Sequence, residues 1–194
     1  AARNPSPPAA ASGAAAQPPA GADARAKLEV LDAILASKND NDPRLDSDFN
    51  DLSPDAKALL RWKYARLPPE ERNERGTIVY LLGRGRNLSS PEDWAFLRSV
   101  AGEPACLSLA DCSRRPRPGD GEDEDVGDAV TLAYPALVAL KQAEGALARA
   151  GNAPGSAAVR REALSVFDAG AASRAPAAAR LALRLRRRWA AARG

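Results

Sequence analysis

The sequence predicts an all-α protein, built as stacked helical hairpins or an irregular bundle of about seven helices. Three observations predict it. Alanine, leucine, arginine and glutamate, all good helix formers, dominate the chain. The β-branched and aromatic residues that favour strands are scarce and never alternate over a useful length. Apolar residues recur three and four apart, while prolines gather in the first twenty residues and at the starts of apolar runs, where a helix tolerates them. Alanine supplies much of the apolar content and aromatics only 5% of the chain, so the core should be thin and layered.

Residues 1–23 hold no large apolar side chain and mix proline, alanine, serine and glycine. They cannot offset the entropy of folding and read as a disordered linker ahead of a helical domain over residues 24–194. In the first helix Leu28, Leu31 and Leu35 share a face with Val30 and Ile34, as far as about Ser37. The polar stretch NDNDPRLDSDFND that follows favours turns. A second helix opens at Ser53-Pro54-Asp55, with serine as N-cap, proline at the first helical position and an acid at the positive dipole end; Leu59, Leu60, Trp62, Tyr64 and Leu67 give it apolar mass. A third begins at Pro68-Pro69-Glu70-Glu71, buries Ile78, Val79, Leu81 and Leu82, stops at GRGRN and packs on the second as a hairpin. The fourth starts at Ser90-Pro91-Glu92-Asp93, a capping-box pattern, and turns Trp94, Phe96, Leu97 and Val100 inward. Loops at about 102–127 precede three further helices at about 128–150, 156–169 and 175–192, separated by Gly151, Pro154, Gly155, Gly170 and Pro176.

The second and fourth helices begin alike. SPDAKALLR from Ser53 aligns without gaps onto SPEDWAFLR from Ser90, an offset of 37 residues. Arrays of helix hairpins repeat at roughly 34 to 47 residues. On these residues the segment 24–101 resembles a short HEAT-type α-solenoid. The resemblance implies a stacked helical scaffold presenting a binding surface, and it implies no catalytic residues.

Cys106 and Cys112 are six positions apart, and on a continuous helix they would lie on different faces, so a bond between them requires a bend. A disulfide closing this loop is the first reading, with two independent reduced thiols the alternative. With no histidine and no second cysteine pair, a zinc site is not expected, and the two-residue spacing of redox dithiols is missing. The pair and the leading linker point to an exported or cell-envelope setting, periplasmic or secreted. No apolar run approaches the ~20 residues of a membrane span. No methionine occurs, position 1 included, which reads as a processed or trimmed chain.

The absence of histidine excludes Ser-His-acid and Cys-His nucleophile systems and histidine metal sites. No Walker-type loop occurs. Glu70, Glu71, Glu74 and Glu103 remain as candidates for a carboxylate hydrolase, though acids in a first helical turn ordinarily serve the dipole. The run Asp40, Asp42, Asp46, Asp48 and Asp51 lacks the glycine and closing glutamate of an EF-hand and reads as turn formation. No cofactor, metal or small-molecule substrate is expected.

The charge of +3 is polarised: residues 120–128 carry six acids and no base, whereas residues 156–194 carry nine arginines and two acids. Arginine far outnumbers lysine, which together with alanine, proline and glycine indicates a GC-rich coding sequence. In the last helix Arg180, Arg184 and Arg188 follow at steps of four beside an apolar stripe of Leu181, Leu185 and Trp189. The expectation is a non-enzymatic scaffold that binds a protein partner, with Arg184, Arg187 and Arg188 as candidate contacts. The rival is a nucleic-acid or anionic-membrane binder acting through the same arginines.

Overall fold

A computed structural model describes residues 16–104, 106, 108–109, 111–113, 126–151, 153 and 155–191. Among them are nine α-helices: α1 (Ala22–Ser37), α2 (Arg44–Ser47), α3 (Pro54–Arg66), α4 (Arg72–Gly83), α5 (Pro91–Ala101), α6 (Val126–Leu132), α7 (Tyr134–Ala150), α8 (Ser156–Ala171) and α9 (Pro176–Ala191). A 3-10 turn at Gly85–Asn87 links α4 to α5, and no strand occurs among the described residues. The all-α class is as the sequence predicts. Residues 1–15 of the expected linker and residues 120–125 of the acidic run lie outside the described residues.

The helices form in place for the reasons their ends supply. Ser53 and Ser90 cap α3 and α5 through their hydroxyls, each followed by proline at the first helical position. Ser90 and Asp93 complete a capping box. The third helix starts at Arg72 rather than Pro68, because Leu67 ahead of Pro68 is held extended (ψ 133°) and residues 68–71 form a turn. The helix expected over 128–150 is two helices. Pro135 has no N–H to give the preceding turn and its ring crowds that turn's carbonyl, so the ladder breaks at Ala133, whose N–H turns back to Val130.

The stretch read as a polar turn contains α2 and contributes to the core. Asp42 Oδ1 accepts the Arg44 N–H at 3.0 Å and starts the turn, and Leu45, Phe49 and Leu52 are buried behind it. Asn87, 1% exposed, ties this stretch down: its Oδ1 accepts from Leu52 N at 2.9 Å, and its Nδ2 donates to the Phe49 and Leu81 carbonyls at 2.7 Å.

In packing order, α1 lies on α3, α3 meets α4, α4 and α5 lie on α7, α5 also meets α8, and α9 closes over α7 and α8. Trp94 is buried with Leu97 and Val100, whereas Trp62 is half-buried. The α4–α7 crossing is tight because Gly76 and Gly83 fall on it: an added Cβ would stand 2.3 Å from the Tyr134 ring at the first and 2.5 Å from Gln142 Cβ at the second. No described helix is long and apolar enough to cross a membrane.

Candidate functional site

Helix α9 divides its residues as the stripe predicts. Ala178, Leu181, Ala182 and Leu185 are buried, Trp189 is half-buried, and Arg160 Nη2 fixes the far end by donating to the Trp189 carbonyl at 2.6 Å. The arginines separate into two groups. Arg186 pairs with Asp168 of α8 at 2.9 Å, and Arg188 pairs with Glu144 of α7 at 2.6 Å, so these two clasp the helix to its neighbours. Arg180, Arg184 and Arg187 are exposed and make no hydrogen bond or ion pair among the described residues. Their spacing of four and three puts them on one outward face, around an exposed Leu183.

Of the three candidate contacts, Arg184 and Arg187 therefore stand free, and Arg188 has an internal partner. Arg180 joins the free set. Leu183 was legible in principle: it lies two residues from both Leu181 and Leu185, which places it off their stripe. An open groove of about 410 Å³ runs beside it, lined by Leu164, Asp168, Leu183, Arg186, Arg187 and Ala190. One wall is apolar, and the rim carries more positive than negative charge.

A second cluster surrounds the cysteines. Cys106 and Cys112 stand at disulfide distance, Sγ–Sγ 2.15 Å with Cα atoms 4.5 Å apart, so the required bend is present. Arg72, the first residue of α4, lies beneath them and is 7% exposed. Its Nη2 is 2.9 Å from Cys106 Sγ, 3.4 Å from Cys112 Sγ and 2.7 Å from the Ser108 carbonyl, and its Nη1 donates to the Leu109 carbonyl at 3.2 Å. Glu70 Oε1 accepts the Cys112 N–H at 2.8 Å, which holds this carboxyl below its ordinary range. Nothing in the sequence marks Arg72, which reads there as one more charge in a first turn.

Glu74 and Glu103, of the other candidate carboxylates, are engaged by neighbouring side chains. Glu74 pairs with Lys38. Glu103 takes both oxygens to Arg75 Nη2 at 3.0 Å and one to the Tyr64 hydroxyl at 2.9 Å; burial pushes its carboxyl up, against the pull of Arg75. In the acidic turn Asp42 is held by Arg44 at 2.7 Å and Asp46 by Arg84 at 3.0 Å. Among the described residues no group of three acids or cysteines is arranged to hold a metal ion.

Set against known proteins, the chain matches no family model, and no curated protein or solved structure shows significant similarity to it.

Proposed function

We propose that the protein is a non-catalytic helical scaffold of the stacked-hairpin kind, which binds an acidic, amphipathic segment of a protein partner on the outer face of α9, in an exported or cell-envelope setting. The observation that carries this reading is the set of exposed, unpartnered arginines, Arg180, Arg184 and Arg187, around the exposed Leu183 beside an apolar-walled groove. Like charges three and four apart on a helix cost about 0.2 to 0.5 kcal/mol per pair, so this face is a small stability liability that a bound acidic partner would remove. The exposed leucine gives such a partner an apolar anchor within the charged rim.

The test replaces Arg180, Arg184 and Arg187 with glutamine together. Circular dichroism and melting temperature should stay nearly unchanged, because none of the three has an internal partner. Binding of an acidic amphipathic peptide, followed by Trp189 fluorescence, should weaken at least tenfold in the variant and fall with added salt in the wild type. Equal peptide binding by both proteins would sink the reading. Binding of single-stranded polynucleotide or of anionic vesicles, with none of the peptide, would replace it with the nucleic-acid or membrane alternative.

A further inference from the structure

We propose that the Cys106–Cys112 disulfide is a thiol-exchange site, opened by a low-molecular-weight thiol, in which Arg72 holds the departing Cys106 sulfur as a thiolate. The case begins with Arg72. Its guanidinium is buried, its Nε has no hydrogen-bond partner, and no carboxylate oxygen among the described residues stands within ion-pair reach. The nearby Glu70 directs Oε1 to the Cys112 N–H instead. Glu70 and Arg72 still attract each other at longer range, but a buried guanidinium without a directly paired anion is unfavourable.

While the disulfide is closed, both sulfurs facing Arg72 are neutral. Once it opens, a Cys106 thiolate supplies a directly contacting anion 2.9 Å from Nη2. The fold is therefore better satisfied with the bond reduced, which makes this disulfide one that accepts electrons readily. Opposing this, the Ser108 carbonyl lies 2.9 Å from Cys106 Sγ and favours a protonated thiol. That oxygen already accepts from Arg72 at 2.7 Å, and a single carbonyl dipole is weaker than a full guanidinium charge at equal distance. Both cysteines are half-exposed, so a small thiol reaches them.

The exchange balances in two steps. A thiolate RS⁻ attacks Cys112 Sγ, forming the RS–Sγ bond and breaking the Sγ–Sγ bond, and the electron pair leaves on Cys106 Sγ. Cys106 is the leaving group because Nη2 stands 2.9 Å from it and 3.4 Å from Cys112. A second RS⁻ then attacks the external sulfur, releasing RSSR and a Cys112 thiolate that takes a proton from water. Two electrons pass from two thiols to the protein. Glu70, whose Oε1 accepts the Cys112 N–H, and the adjacent Asp111 favour that protonation.

The experiment equilibrates the full chain in reduced and oxidised glutathione, quenches by alkylation and counts reduced protein by mass. Arg72→Met should require at least a tenfold more reducing ratio of reduced glutathione squared to oxidised glutathione for half-reduction, and Arg72→Lys should fall between it and the wild type. The single variants Cys112→Ser and Cys106→Ser, with Arg72 in place, supply the second arm. The rate of alkylation of Cys106 should titrate with a midpoint below the free-thiol value of about 8.5, and that of Cys112 at or above it. Should Arg72→Met fail to fold, these two profiles decide alone. Midpoints at or above about 8.5 for both cysteines, or equal half-reduction ratios for a folded Arg72→Met and the wild type, would overturn the proposal.

Discussion

Asp93 shows how one carboxylate organises its surroundings. Its side chain is 1% exposed; Oδ2 accepts from Lys57 Nζ at 2.8 Å and from the Ser89 and Ser90 N–H groups, and Oδ1 accepts from Arg61 at 2.9 Å. Burial alone would push this carboxyl up, but Lys57 and the two backbone donors more than reverse it and hold it below the usual carboxylate range. A carboxyl lowered in the folded state stabilises the fold above its unfolded value, and that contribution is lost as pH falls through the folded value. Urea unfolding of the wild type should therefore weaken from neutral pH into the acid range, and Asp93→Asn should weaken less over the same interval. At neutral pH Asp93→Asn should cost about 3 to 5 kcal/mol, because Lys57 is left buried with its charge uncompensated. Equal pH dependence in the two proteins would mean that other groups set the acid sensitivity. The capping box of Ser90 and Asp93 was legible from four consecutive residues. The pairing with Lys57 was not, since it joins two helix starts 36 positions apart and depends on how α3 and α5 are placed.

At the scale of elements, the apolar stripes and the proline and glycine breaks were enough to locate seven helices, and α9 buries the face its leucines indicate. The missed features turn on single residues whose meaning depends on contact. Phe49 sits in a run of acids and is fully buried, because Asn87 and Arg84 hold the surrounding carbonyls and acids in place. Gly83 reads as a helix stop, yet it also lies on the crossing with α7. Alanine is ordinarily the better helix residue by about 1 kcal/mol, so glycine replacement tests the crossing. Gly83→Ala should destabilise by roughly 1 to 3 kcal/mol, because Gln142 Cβ, next to the α7 backbone, cannot move away. Gly76→Ala should cost less, since the Tyr134 ring it meets is 38% exposed and has room to rotate. Thermal melts of the two variants measure the order; a stabilised Gly83→Ala would show that the helices separate freely there.

Across the whole molecule, α7 is, among the described helices, the member on which most of the others converge, touching α4, α5, α6, α8 and α9. Removing α9 uncovers its faces on α7 and α8 together, and Leu181 and Leu185 alone represent about 2 kcal/mol of burial each. A chain ending at Ala172 should bind a hydrophobic dye and melt without a sharp transition; a cooperative melt near that of the full chain would show that the earlier helices form an independent unit. The division of α9 arginines into clasps and free side chains belongs to this scale too. Sequence spacing put Arg180, Arg184 and Arg188 in one row, and only the positions of Glu144 and Asp168 on other helices decide which are engaged. The partnership of α4 with α7 also sets an order of events in time. During synthesis Gly76 and Gly83 leave the ribosome roughly 60 residues before Tyr134 and Gln142, the α7 residues they meet, at about 5 to 20 residues per second. For those seconds the face of α4 that receives α7 has no cover from its own chain. A protein made of local helices thus begins life with its central contact unmade, and a holdase that shelters this one stretch would protect the nascent chain through most of its exposure.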